Sequence, residues 1–228
     1  MLPHMQELWN RLEAWAKKNA NRSLRLRKGA SEKQIAAAEK KMKVKFPADF
    51  RASLLCHDGQ ETKDKEARAF QDEHGGFCGF EWMPGCSPLA PLDAIVAQWK
   101  EDQENIDDDE KPKVIEKGLL HNVMFHPRRI PIAGTPYWDG DNTYLDLFPG
   151  PKGKEGQIVM FANECDMVVM GDSMSHALTL HLLALESGDW VWDKKKGFAH
   201  PKKEKADDFP HESEEFVTWA RKQKPSAR

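Results

Sequence analysis

The chain has 228 residues, enough for one mixed or β-rich domain with a sizeable core. Its 34 Lys and Arg against 37 Asp and Glu leave a net charge of −3, without the global basic field that nucleic acid or an anionic membrane attracts. The opening MLPHMQELWNRLEAW carries charge inside its apolar run and has no small-residue cleavage site, and no uncharged stretch reaches the roughly 20 residues that cross a bilayer. The expectation is a cytoplasmic protein with neither a nucleic-acid nor a membrane partner.

In chain order, Met5, Leu8, Trp9, Leu12, Trp15 and Ala16 recur at three- and four-residue steps, the stripe of an amphipathic helix laid on the core. Ser31-Glu-Lys-Gln34 is a capping box, and Ile35, Ala38 and Met42 form the inner face of the helix it opens. After KVKF, Pro47 and Asp49 suit the first turn of another helix, with Phe50, Leu54 and Leu55 on one face and Gly59 as its stop. Residues 60–75 are dominated by charge and read as an exposed loop. GFCGFEW reads as a strand, and PLAPLDAIVAQWKEDQENI as a helix entered through Pro91.

From Arg129 the period changes to two. RIPIA, TYLDLF, QIVMFA and DMVVM are short β-branched and aromatic runs divided by Pro, Gly and Asn, and the glycine-rich GPKGKEG link predicts an antiparallel hairpin. Asp172 or Ser173 then caps a helix ended by Gly188. The last forty residues begin with a Trp pair, pass through a lysine-rich segment and end in a short helix bearing Phe216, Val217 and Trp219, an extension expected to fold back through its aromatic residues. The order predicts an α+β fold, a largely antiparallel sheet with helices on one face. The expected divisions are an N-terminal helix in 1–28, a central domain in 29–188 and a C-terminal extension in 189–228.

Two segments together resemble the Smi1/Knr4 (SUKH) superfamily. GASEKQIAAAEKKMKVKFPADFRASLLCHDG resembles its first signature, a capped helix followed by an aromatic-Pro-x-Asp helix, and YWDGDNTYLDLFPGPKGKEGQIVMFAN resembles its second. The resemblance implies a curved sheet and a protein that works by binding other proteins. Fungal members are signalling scaffolds of cell-wall assembly; numerous bacterial members resemble immunity proteins encoded beside polymorphic toxins. Because the chain lacks the long flanks of the fungal proteins, the expectation is an immunity protein that occludes a cognate toxin, with a nuclease as one candidate. A regulatory scaffold is the alternative, and a metal-dependent hydrolase a more distant one.

The residues that carry chemistry fit binding better than catalysis. Asp139-Gly140-Asp141-Asn142 has turn chemistry, and Asp146, between two leucines, faces away from them on an alternating strand. Asp107, Asp108, Asp109 and Glu110 with Asp139 and Asp141 form acidic clusters that would complement a basic partner, and Trp138 is a potential anchor. Those residues, with Asp146, are the candidate partner-facing set. Cys56-His57-Asp58 reads as a helix end, because neighbours on a helix diverge. His121 and His126, like His176 and His181, are five apart, unlike the i, i+4 pair of a zinc helix, and Cys56, Cys78, Cys86 and Cys165 stand singly. No catalytic residue, metal or cofactor is expected.

Overall fold

The computed structural model describes residues 2–74, 77–106, 113–114, 117–134, 142–162, 166–194, 198–203 and 212–223. Helix α1 (Leu2–Trp15) buries Met5, Leu8, Trp9 and Leu12 against α3 (Ala48–Cys56) and α6 (Met174–Glu186). It does not end in a normal turn: Ala16–Ala20 widen into a π-helix closed by Asn21 in left-handed conformation. Helix α2 (Glu32–Met42) starts on the complete capping box, with Ser31 accepting from the Gln34 amide and Gln34 accepting from the Ser31 amide. At its far end the buried Glu39 carboxylate accepts the Phe46 amide at 2.8 Å and Arg51 Nη1 at 2.7 Å, tying the KVKF turn and α3 to α2. Burial opposes its charge, but the Phe46 amide and the Arg51 guanidinium outweigh it and hold the Glu39 carboxyl below the usual range.

The sheet runs β1-β5-β4-β3-β2, where β1 is Lys113–Val114, β2 Arg129–Ala133, β3 Asn142–Asp146, β4 Gln157–Ala162 and β5 Asp166–Gly171. The β2-β3-β4-β5 pairs are antiparallel and β1 joins β5 in parallel, so the α+β expectation holds. Alternation sends Leu145, Ile158, Met160 and Met170 into the main core with the helices. The opposite face buries Tyr144, Val159, Phe161 and Met167 under Leu120 and Met124 from the segment before β2. Turn residue Gly156, at φ +91°, lies so close to α3 that a Cβ would sit 2.7 Å from Pro47.

Three segments depart from expectation. Residues 65–74 form helix α4 (Lys65–His74) rather than loop: Asp64 caps it through the Ala67 amide, and Arg25 pairs with Asp64 and Glu66. Its ten residues are mostly charged and carry few apolar positions, Ala67, Ala69 and Phe70, so composition masked a periodicity that is present. GFCGFEW is not a strand. Phe80 and Trp82 are wholly buried aromatic plugs in turns between Gly59 and α5 (Leu92–Glu104), and the Phe80 amide bonds back to Ser23. The Trp pair opens a hairpin, β6 (Trp190–Asp193) with β7 (Phe198–Pro201), and α7 (Glu212–Ala220) sends Phe216 and Val217 into the main core.

Candidate functional site

Asp146 is the one sequence-predicted site residue within the described residues; Asp107, Asp108, Asp109, Glu110, Trp138, Asp139 and Asp141 lie outside them. It faces away from the leucines as the alternation requires, but its side chain has no solvent exposure. Strand register places it between Arg129 and Gln157 in one cross-strand row. Its oxygens accept the Phe148 amide at 3.0 Å and Gln157 Nε2 at 2.9 Å, with Arg129 Nε at 3.6 Å. Arg129 is equally buried and donates to the Val123 carbonyl. The row locks the β3–β4 turn to the strands, so Asp146 orders the interior and presents no carboxylate to a partner.

Beside this row Phe148 is stacked between two imidazoles, His121 at 4.3 Å and His126 at 3.8 Å between ring centroids. Burial and the neighbouring Arg129 lower the His126 pKa. Both rings stack on Phe148, and the Asp146 carboxylate, which lies near enough to act on His126, is already engaged by the Phe148 amide and Gln157. Among the described residues no three His, Cys, Asp or Glu side chains gather as a metal cluster.

Cys56, His57 and Asp58 diverge as expected. Cys56 is buried and burial raises its pKa; His57 Nδ1 meets the Arg27 carbonyl; Asp58 accepts the Leu92 amide at 2.7 Å and caps α5. His181 is sealed in the core, its Nδ1 donating to the Trp82 carbonyl at 2.8 Å, and burial pushes its pKa down to about 4.

A concavity lies elsewhere on the described surface. A groove of about 620 Å³ runs between α1 with its π-helical extension, the end of α6 and strand β6. Half-buried Trp15 and Trp192 form its walls, set on the buried Phe80 ring with centroids at 5.6 and 5.4 Å. Arg11 meets Glu186 in a two-point pair at 3.2 and 2.6 Å, and Lys18 stands at the rim with no carboxylate partner among the described residues. The sequence places Trp15 on the inner stripe and the Trp pair in an extension that folds back through its aromatic residues, but it does not say that the surface met is α1. The clustering of Trp at the two ends of the chain was the signal available.

Comparison with known proteins decides the family. The model described as "SMI1 / KNR4 family (SUKH-1)" matches residues 29–179. The chain belongs to the SMI1/KNR4 family. Its relatives include the "Glucan synthesis regulatory protein" of Neurospora crassa, 27% identical over 95% of this chain and 45% of that protein. The "Cell wall biosynthesis/cell cycle regulator smi1" of Schizosaccharomyces pombe is 25% identical over 84% of this chain and 38% of its own length. The "Cell wall assembly regulator SMI1" of Saccharomyces cerevisiae is 25% identical, over 80% and 40%.

These relatives correct the expected function. They are SMI1/KNR4 regulators of fungal cell walls, so the immunity-protein reading, with its cognate toxin and polymorphic-toxin setting, is overturned. Chain length was the wrong discriminator: this chain spans less than half the length of the relatives it matches and still aligns with them over most of its own. Their names describe regulators rather than enzymes. No helix among the described residues is long and apolar enough to cross a membrane.

Proposed function

We propose that this chain is a folded protein-interaction module of a cell-wall regulator, acting in the cytoplasm by holding other proteins and performing no chemistry of its own. The observation that carries the reading is the SMI1/KNR4 match over residues 29–179 together with relatives named for glucan synthesis and cell-wall assembly. The interior chemistry supports it. Glu39 and Asp146 are both spent on amides and guanidinium groups that hold turns in place. A rigid scaffold of this kind fixes the shape of its surface before a partner arrives, which lowers the ordering cost of binding.

The test is replacement of the resident SMI1-type gene of a fungus by this chain, scoring glucan synthesis and growth in a wall-binding dye. Partial or full rescue, with wall-regulating proteins captured on the tagged chain, is expected. A well-folded, well-expressed chain that restores neither trait and captures no such protein overturns the reading.

A further inference from the structure

We propose that a second groove, between α2 and α5, binds an acidic segment of a partner protein, with apolar side chains seated between the helices and carboxylates laid along the outer face of α2. The proposal rests on the interaction-module reading and supplies the chemistry of the partner. Both helices lie inside residues 29–179, the stretch that carries the family match.

The first ground is an uneven use of charge on α2. In sequence the helix is nearly balanced, with Glu32 and Glu39 against Lys33, Lys40 and Lys41. In the fold one residue draws both carboxylates to the α3 side: Arg51 pairs with Glu32 and, at 2.7 Å, with Glu39. Lys33, Lys40 and Lys41 are left exposed, and no carboxylate among the described residues pairs with them. Lys28, next in the chain to the groove residue Arg27, is exposed and unpaired as well. Turning about 100° per residue, α2 sets Gln34, Ala37, Ala38 and Lys41 toward the groove, and Lys33 and Lys40 follow Ala37 round to the solvent side.

The groove itself holds about 360 Å³. Ala37 and Ala38 from α2 and Leu92 and Val96 from α5 give it an apolar lining, and the two alanines let another chain approach closely. Gln34 spends its Oε1 on the Ser31 amide and hydroxyl at 2.9 and 2.6 Å, so what it offers a ligand is the Nε2 donor. Acceptors are present too, but both stand at the N-terminal end of α5. Asp58 accepts the Leu92 amide at 2.7 Å and lies in the field of Arg27, and Asp93 accepts the Ala94 amide at 2.9 Å. Those amides and the positive end of the α5 dipole offset the two carboxylates. The lysines of α2 have no such compensation, so the α2 side of the groove is positive in a chain whose net charge is −3.

That asymmetry selects the occupant. Carboxylates on an incoming segment complement the lysines, whereas a basic segment is repelled and a neutral polar one gains nothing from them. Nucleic acid fits less well, because no aromatic ring lines the groove for a base to stack on and the net negative charge opposes a long polyanion. A two-fold dimer through this face would set lysine against lysine.

The test is a fluorescence-anisotropy titration of the whole chain with three labelled peptides: leucines set among aspartates and glutamates, the same acids with serine in place of leucine, and the same leucines with asparagine and glutamine in place of the acids. A single-stranded oligonucleotide of matched charge is the fourth ligand. Saturable binding that is tightest for the acidic leucine peptide, and that weakens with added salt, is expected. Lys33→Glu with Lys41→Glu weakens that peptide about tenfold at low salt and leaves the uncharged leucine peptide unchanged. Ala37→Gln, at an exposed helical position, fills the groove and weakens both leucine peptides several-fold. Lys18→Glu, on the other groove, changes none of these affinities. Unchanged thermal midpoints establish that the variants are folded; Lys33→Gln with Lys41→Gln serves in place of the charge reversal if that one unfolds. The proposal is overturned by an uncharged peptide that binds as tightly as the acidic one, by an oligonucleotide that binds more tightly, by the absence of saturable binding, or by full affinity in the folded double variant. Self-association in sedimentation that the double variant abolishes would assign the face to a second copy and overturn it too. If the peptides fail while fungal rescue succeeds, the groove assignment falls and the regulatory reading stands; peptide binding without rescue does the reverse.

Discussion

Two buried groups make opposite demands on acidity, and their balance is open to measurement. His181 has no exposure and its pKa is pushed down to about 4 by burial. The native state therefore refuses a proton that the unfolded chain accepts below pH ~6.5, so stability falls as pH drops from there toward 4. At 1.36 kcal/mol per pKa unit the loss between pH 7 and pH 5 is about 2 kcal/mol. Asp102, buried on α5 with Gln98 as its donor and one oxygen unpartnered, has its pKa raised to about 6 by burial. Here the native state holds a proton that the unfolded chain has released, so stability falls as pH rises from about 4 through 6 and returns on acidification, by about 1 kcal/mol between pH 7 and pH 5. The two partly cancel, and urea midpoints of the unaltered chain fall only modestly over that range on their account. Asp102→Asn removes one side of the balance. It raises stability at pH 7 by about 3 kcal/mol, and the gap to the unaltered chain closes to about 1 kcal/mol or less by pH 4. Comparing the two chains cancels the carboxylates they share. A gap that is constant from pH 7 to pH 4, or that widens on acidification, refutes the reasoning.

Three further outcomes follow from the packing. Glu39→Ala strands the Phe46 amide and Arg51 and costs about 2–4 kcal/mol in urea unfolding, whereas Glu39→Gln, which still accepts the amide, loses less; equal losses would show that the amide bond is immaterial. Because its carboxyl is held below the usual range, the contribution of Glu39 persists above the unfolded pKa and disappears only as pH falls through the lowered one. Asp146→Ala leaves Arg129 buried without its counter-charge and lowers stability by about 3–5 kcal/mol, which a thermal melt detects; a change under 1 kcal/mol would mean the row is dispensable. Gly59 and Gly188 both have positive φ, but a Cβ at Gly59 would lie 2.6 Å from the Pro91 nitrogen while Gly188 faces open space. Gly188→Ala therefore costs about 1 kcal/mol and Gly59→Ala considerably more; equal melting shifts would contradict the contact.

Local signals carried most of the fold. The capping box at Ser31, the Ser173 cap and the alternation of β2 to β5 are short-range, and each matches its element. What was illegible depended on distant partners. Helix α4 is held at its start by Arg25, 39 and 41 residues upstream of Asp64 and Glu66, and GFCGFEW is kept out of a sheet because Phe80 and Trp82 are taken into the core by α1, α6 and the tail. Asp146 could be assigned a face from its neighbours, but its burial followed from the cross-strand Arg129, which no local pattern announces. The Trp-walled groove needed both ends of the chain brought together. The functional branch was misjudged for a different reason: chain length says nothing about which relatives a shared core descends with.

The central claim is that this fold serves a cell-wall regulator by binding. The most direct measurement is glucan synthesis in a fungus whose SMI1-type gene has been replaced by this chain. Synthesis restored well above the deletion background, and reduced when the chain is destabilised by Asp146→Ala, is what the account predicts. Synthesis that stays at the deletion level with the folded chain abundant in the cell would contradict it.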